Sequence, residues 1–231
     1  MIAGDAIITT LQGPAFVSDL AGKGVVFVYT WDGIKVTVGE IEVLDISTVV
    51  AHEVTLDDES KLYVSGDTQF LLRSEDQITA DKLSAGTSLL PIYTKTDAAG
   101  YTIYREPGQW HRGAKTRRDS YAWRRTSRMV AEWKTRKRCE PGDSVIFRNN
   151  VRTDCHPDNL DVSRKPPKQS KMKVKFAEPL FEAQRFINYH RKRNHKITCV
   201  RVDNGRNLFS IRGLEAANLA VNGIFLSVDT E

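Results

Sequence analysis

The chain has 231 residues, 40% of them apolar and 27% charged, and its 34 Lys and Arg against 29 Asp and Glu leave a net of +5; this suffices for the core of one elaborated domain or two small ones and excludes a disordered chain. Cys139, Cys155 and Cys199 are odd in number and form no C-x-x-C pair, which argues against a disulfide scaffold and a zinc ribbon and predicts reduced thiols in the cytoplasm. No window approaches ~20 apolar residues and no basic stretch leads into an apolar run at the N-terminus, so the expectation is a protein neither exported nor membrane-spanning.

From Met1 to about Tyr93 short strands are predicted at Ala6–Thr10, Val25–Thr30, Thr48–Leu56, Lys61–Val64 and Gln69–Leu72, rich in Val, Ile, Thr and aromatics. Turn signals such as Trp31-Asp32-Gly33 and Ser65-Gly66-Asp67 separate them. A helical turn is expected around Ile78–Leu83 and another strand at Leu89–Ile92. The next stretch predicts helix: Trp123, Thr126, Val130 and Trp133 recur at helical spacing within Tyr121–Trp133, with Arg124, Arg125 and Arg128 on the remaining surface. Ser163–Lys175 reads as an extended basic connector. Pro179 suits the first turn of a helix that carries Leu180, Ala183 and Ile187 on one face and ends in Arg191-Lys192-Arg193. Strands return at Ile197–Val202, Leu208–Ile211 and Ile224–Ser227.

Charge follows this division. Met1–Gly100 holds six basic against fifteen acidic residues, a net of −9; Tyr101–Val200 holds twenty-five against ten, a net of +15; the remainder nets −1. A solvated face ordinarily mixes signs, so a cationic excess confined to one hundred residues predicts a polyanionic partner, nucleic acid first and an acidic protein surface second.

The stretches on either side of the basic segment carry a resemblance. AGDAIITTLQGPAFVSDL (Ala3–Leu20) resembles the first block of inteins and related Hint domains: a leading Cys, a GDT-like turn, a strand, a Gly and a short helix. SGDTQFLLRSEDQITADKLSAGTSLLPI (Ser65–Ile92) resembles their second block, and Asn218-Leu219-Ala220-Val221-Asn222-Gly223-Ile224 the penultimate one. The family position of the nucleophilic Cys or Ser is Met1, whose thioether cannot be deprotonated. The second-block His falls at Thr68, with Ser65 keeping a hydroxyl, and the C-terminal His-Asn pair falls at Ser227 and Val228. The resemblance therefore implies a scaffold without splicing chemistry.

Within the basic segment, VAEWKTRKRCEPGDSVIFRNNVRTDCHPDNL (Val130–Leu160) is similar to the HNH endonucleases of homing elements. Pro141-Gly142 takes the place of their turn and Pro157-Asp158-Asn159-Leu160 that of a helix start. Their strand general base and metal ligand fall at Ile146 and Phe147, and a later ligand at Lys168 or Gln169. None of these side chains accepts a proton at neutral pH and ligates a divalent cation as the chemistry requires. Asn159 keeps a position that in the family holds the loop by hydrogen bonds. A replacement metal site from Asp154, His156 and Asp158 is the alternative.

The fold class expected is thus α+β: an all-β Hint-like domain of residues 1–93 and 195–231, split by a helix-containing basic HNH-like insert at 101–175, with a connecting helix at 176–194. The expected function is that of a non-catalytic, domesticated homing-endonuclease relative, of phage or mobile-element kind, binding nucleic acid, DNA in the first place, without cofactor, metal or small-molecule substrate. The candidate contacts are Arg117, Arg118, Arg124, Arg125, Arg128, Lys134, Arg136, Lys137, Arg138, Arg148, Arg152, Arg164, Lys165 and Lys168. A protein-recognition adaptor and a still-active metal-dependent endonuclease are the competing readings.

Overall fold

The stretch from Val36 to Leu56 is rich in β-branched residues and free of proline, and it forms one strand of 21 residues, the spine on which the other elements are hung. In the computed structural model, which describes residues 1–105, 123–164, 195–214 and 218–230, the elements run β1 (Ile2–Ala3), β2 (Ile7–Thr10), β3 (Gly13–Phe16), α1 (Val17–Leu20), β4 (Val25–Trp31), β5 (Val36–Leu56), β6 (Lys61–Ser65), β7 (Gln69–Leu71) and β8 (Gln77–Thr79). After a 3₁₀ turn at Ala80–Lys82 come β9 (Tyr93–Thr96), β10 (Thr102–Arg105), β11 (Trp123–Arg125), α2 (Thr126–Thr135), β12 (Ser144–Phe147) and β13 (Leu160–Ser163). The chain closes with β14 (Ile197–Gly213), β15 (Asn218–Val221), β16 (Ile224–Ser227) and β17 (Asp229–Thr230).

β5 and β14 lie antiparallel from Ile197 opposite Leu56 to Gly213 opposite Ile41. On its other side β5 pairs first with β4, then with β6. β1 bridges β14 and β6, with Ile2 opposite Phe209 on one side and Val64 on the other, so β5, β14, β1 and β6 close into a ring that leaves no free edge between them. Its interior holds Ile2, Val54, Leu62 and Val64, all buried. The Asn222-Gly223 turn, with φ of 47° and 84°, joins β15 to β16 in the two-residue hairpin that such a pair favours.

Several sequence expectations are corrected here. Asp203-Asn204-Gly205 is not a break between two strands: from Asp203 opposite Ala51 to Arg206 opposite Val49 β14 spends one extra residue, a bulge within a continuous strand, made possible by Gly205 at φ +87°. Leu89–Ile92 is not a strand; Leu89 and Pro91 make isolated bridges to Leu72 and Ile224, since proline has no amide hydrogen for a ladder, and the strand begins at Tyr93. Trp123, Arg124 and Arg125 are not helical but pair with Arg105, Tyr104 and Ile103. Pro157–Asn159 opens no α-helix; it is a single 3₁₀ turn followed by β13. Among its described residues the middle of the chain therefore carries four short strands, β10 to β13, beside α2, its one α-helix there. The connecting helix at 176–194 lies outside the described residues. No helix among them is long and apolar enough to cross a membrane.

Elements of the basic middle of the chain share a core with the large sheet. Leu11, Tyr29 and Val38 from the scaffold pack with Val130 of α2, Phe147 of β12 and Leu160 of β13. Polar ties reinforce the contact: the buried Tyr29 and Thr126 hydroxyls meet at 2.7 Å, and the Cys155 amide donates to the Leu11 carbonyl at 3.1 Å.

Candidate functional site

At the start of the chain, the Ser65-Gly66-Asp67-Thr68 turn folds over Met1. The Met1 nitrogen donates to Ser65 Oγ at 2.8 Å and Thr68 Oγ1 at 3.2 Å. The Met1 carbonyl accepts from the Ser65 amide at 3.0 Å and from Thr68 Oγ1 at 3.2 Å. Two hydroxyls thus grip the first residue from both ends of its backbone, 3.0 Å from one another. The Ser65 hydroxyl, with a smaller contribution from the Met1 nitrogen, holds the Asp67 carboxyl below the usual carboxylate range. Neither a thioether nor an alkyl hydroxyl is an acid or base near neutrality; what the two hydroxyls do here is position the Met1 backbone. Ser227 Oγ is buried without a partner among the described residues.

The sequence reading missed His52, which lies against this turn. A Cβ added to Gly66 would meet the His52 ring at 2.9 Å, so Gly66 is the local signal of a close approach that only the folded β5–β6 pair creates. His52 Nδ1 is buried and has no partner among the described residues.

In the basic middle of the chain, β12 and β13 pair with Phe147 opposite Leu160 and Ile146 opposite Asp161. Asn159, buried, does hold the intervening loop: its Oδ1 accepts from the Asn149 amide at 3.0 Å and its Nδ2 donates to the Asp154 carbonyl at 2.8 Å. The loop borders an open cleft of about 550 Å³, lined by Gln12, Arg148, Asn149, Asp154, His156 and Asp158 together with Asn159. Gln12 was another residue without a sequence signal. The cleft's polar atoms are largely spent on the loop itself: Asp154 accepts from Asn149 Nδ2 at 2.7 Å and from the His156 amide at 3.1 Å. His156 Nδ1 accepts from the Asp158 amide at 3.3 Å, and its ring stands edge-on to Phe27. Asp154, His156 and Asp158 do not form a ligand set, and no group of three His, Cys, Asp or Glu among the described residues could hold a metal ion. Cys155, wholly buried, has its thiol pushed far up by burial, which removes it as a nucleophile.

The candidate cations fall into distinct classes. Arg148 forms a two-pronged pair with Asp161, 2.7 and 2.8 Å long, and the hydrogen bond holds the Asp161 carboxyl below its ordinary value. Lys134 Nζ donates to the Pro157 and Leu160 carbonyls at 2.8 and 3.1 Å, closing the 3₁₀ turn. Arg128 donates to the Cys139 and Glu140 carbonyls. Arg125 and Arg152 both stack on Tyr101, at 4.0 and 4.7 Å, and Arg152 also donates to the Ala99 carbonyl; Tyr101 is a further residue the sequence did not reveal. Arg136 closes α2 in a left-handed conformation over Trp133. Arg124 sits exposed on β11, opposite Tyr104. Lys137, Arg138 and Arg164 are exposed. Arg117, Arg118, Lys165 and Lys168 lie outside the described residues.

No family model matches the chain, and no curated protein matches it by sequence. Among solved structures it is similar to the Ssp DnaB mini-intein variant M86, at 9% identity and a TM-score of 0.48, over 100% of this chain and 94% of that one. It is similar also to a DnaB intein from Synechocystis sp. PCC 6803, at 8% identity and 0.47 over 99% and 97%. A third is a bacterial intein-like domain from Clostridium thermocellum, at 10% identity and 0.45 over 99% of each chain.

Proposed function

We propose that this chain is a non-catalytic Hint-like scaffold carrying a degenerate HNH-like insert, and that it binds nucleic acid through that insert. The observation that carries the reading is the net of +15 between Tyr101 and Val200, part of which is borne by elements fixed to the scaffold through a shared core. Supporting the degenerate nuclease is the β12–β13 pair with Asn159 bracing its loop, while Ile146 and Phe147 stand where the resemblance puts the base and ligand. Supporting the loss of splicing is the centre built from Met1, Ser65 and Thr68. The test is a gel-shift titration of the full chain against duplex DNA, single-stranded DNA and RNA, run with and without Mg²⁺ or Mn²⁺. The expected result is a shift at low salt with no cleavage. Metal-dependent cleavage abolished by His156→Ala would instead establish an active endonuclease.

A second reading, a protein-recognition adaptor, is favoured by one observation. Ile46, Val50 and Val202 on the β5–β14 ribbon are 51%, 53% and 63% exposed, unusual for a row of apolar side chains on a long sheet arm. Capture of a folded partner that survives nuclease treatment, together with failure to bind any nucleic acid, would put this reading first.

A further inference from the structure

We infer that phosphate contacts within the described part of the insert are made by Lys137 and Arg138 on the loop before β12 and by Arg164 just after β13, whereas Arg125, Arg128, Lys134, Arg148 and Arg152 are structural cations. The inference rests on the nucleic-acid reading above and names its binding surface. A guanidinium already donating in a fork to a carboxylate, or an ammonium closing a turn, must break those bonds before it can serve a phosphate. Arg148 on Asp161, Lys134 on two carbonyls and Arg128 on two carbonyls are in that position. Arg125 and Arg152 are stacked on Tyr101.

Lys137, Arg138 and Arg164 are exposed as several of those are, but their side chains have no partner among the described residues. The loop that carries Lys137 and Arg138 is nonetheless fixed. Thr135 Oγ1 donates to the Ala131 carbonyl at 2.7 Å and the Lys137 carbonyl at 3.3 Å. The Cys139 amide donates to Glu132 Oε1 at 3.0 Å, and Arg128 holds the next two carbonyls. The Glu140 amide donates to Asp143 Oδ2 at 2.8 Å. Glu132 and Asp143 thus brace the loop with their carboxylates. Ser144 pairs with Ser163, so Arg164 leaves β13 at the end where Asp143 enters β12. Lys137 and Arg138 thus stand on a pre-ordered loop that leads into β12, and Arg164 follows the strand paired with it; a polyanion that binds the loop meets little ordering cost in its backbone. Arg128 acts one step behind, as a brace of that loop. Contacts of this kind give affinity and register without reading bases.

The experiment measures duplex DNA affinity by fluorescence anisotropy from 50 to 200 mM salt for three proteins: the unmodified chain, the triple variant Lys137→Gln, Arg138→Gln, Arg164→Gln, and the charge-balanced double variant Arg148→Gln, Asp161→Asn. If the three cations touch phosphate, the slope of log affinity against log salt falls by about 3 in the triple variant, and the loss of affinity over that salt range shrinks about 40-fold. Its melting temperature stays at that of the unmodified chain. The double variant keeps the slope of the unmodified chain. A triple variant with an unchanged slope beside an unmodified chain that binds would overturn this surface while leaving the proposed function standing. An unmodified chain that binds no nucleic acid at 50 mM salt would sink both.

Discussion

Asn218 shows how a single side chain decides the scaffold's geometry. It is 5% exposed, its Oδ1 accepts from the Trp31 amide at 2.7 Å and the Thr30 hydroxyl at 3.1 Å, and its Nδ2 donates to the Trp31 carbonyl at 2.7 Å. It supplies to β4 the pairing that a neighbouring strand would otherwise give, and truncation leaves buried backbone groups unsatisfied. Asn218→Ala is expected to cost about 3 kcal/mol by urea denaturation, whereas an effect within experimental error would contradict the role. Glu53 gives the pH counterpart. The Tyr63 hydroxyl, at 2.6 Å, and then the Lys61 ammonium, at 3.0 Å, hold its carboxyl below the ordinary range. A lowered folded pKa contributes stability that is present above the unfolded value of about 4.3 and lost as pH falls through the folded one. The melting-temperature advantage of the unmodified chain over Glu53→Gln should therefore be constant near neutrality and fade on acidification below about pH 4. An advantage that persists undiminished to the acid limit would refute the assignment.

At the scale of elements, the hydroxyl pair of Tyr29 and Thr126 is where insert and scaffold meet through a buried hydrogen bond. A double-mutant cycle of Tyr29→Phe and Thr126→Val should show each single change costing about 1–2 kcal/mol and the double change less than their sum, because removing both partners leaves no orphan. Strict additivity would mean that the contact is incidental. These elements were unevenly legible in the sequence. Alternation and β-branching marked β4 and β6 to within a residue or so, and the GDT-like and Asn-Gly turns fell where the resemblance put them, since both are local devices. The strands expected at Ile197–Val202 and Leu208–Ile211 are one strand, because the bulge at Asp203-Asn204-Gly205 carries the residue types of a turn and only the partner strand β5 decides between the two. Trp123 kept helical spacing with Thr126 yet lies on β11, because pairing with β10 outweighs a three-residue extension of the helix. Of the candidate site, the sign of the charge was legible. The division of its cations into those with partners and those without was not, since Asp161, Tyr101 and the turn carbonyls reach them only in the folded chain.

For the whole molecule, the closed ring of β5, β14, β1 and β6 makes both ends of the chain parts of one unit. A protease site placed at the exposed Ala98 and Ala99 turn should therefore yield, when cut, two fragments that elute together in size-exclusion chromatography under native conditions and separate in urea; fragments that part without denaturant would contradict the topology. The chain joins an acidic first hundred residues to a cationic middle, a division that would orient the molecule in an approaching phosphate field if the proposed function holds. The proposed function stands on that division. It is tested most directly by the affinity of the full chain for duplex DNA as salt is raised from 50 to 200 mM. With six or so cations of the insert on phosphates, binding should weaken about 10³-fold over that interval. Binding that ignores salt, or its absence at 50 mM, would contradict the account.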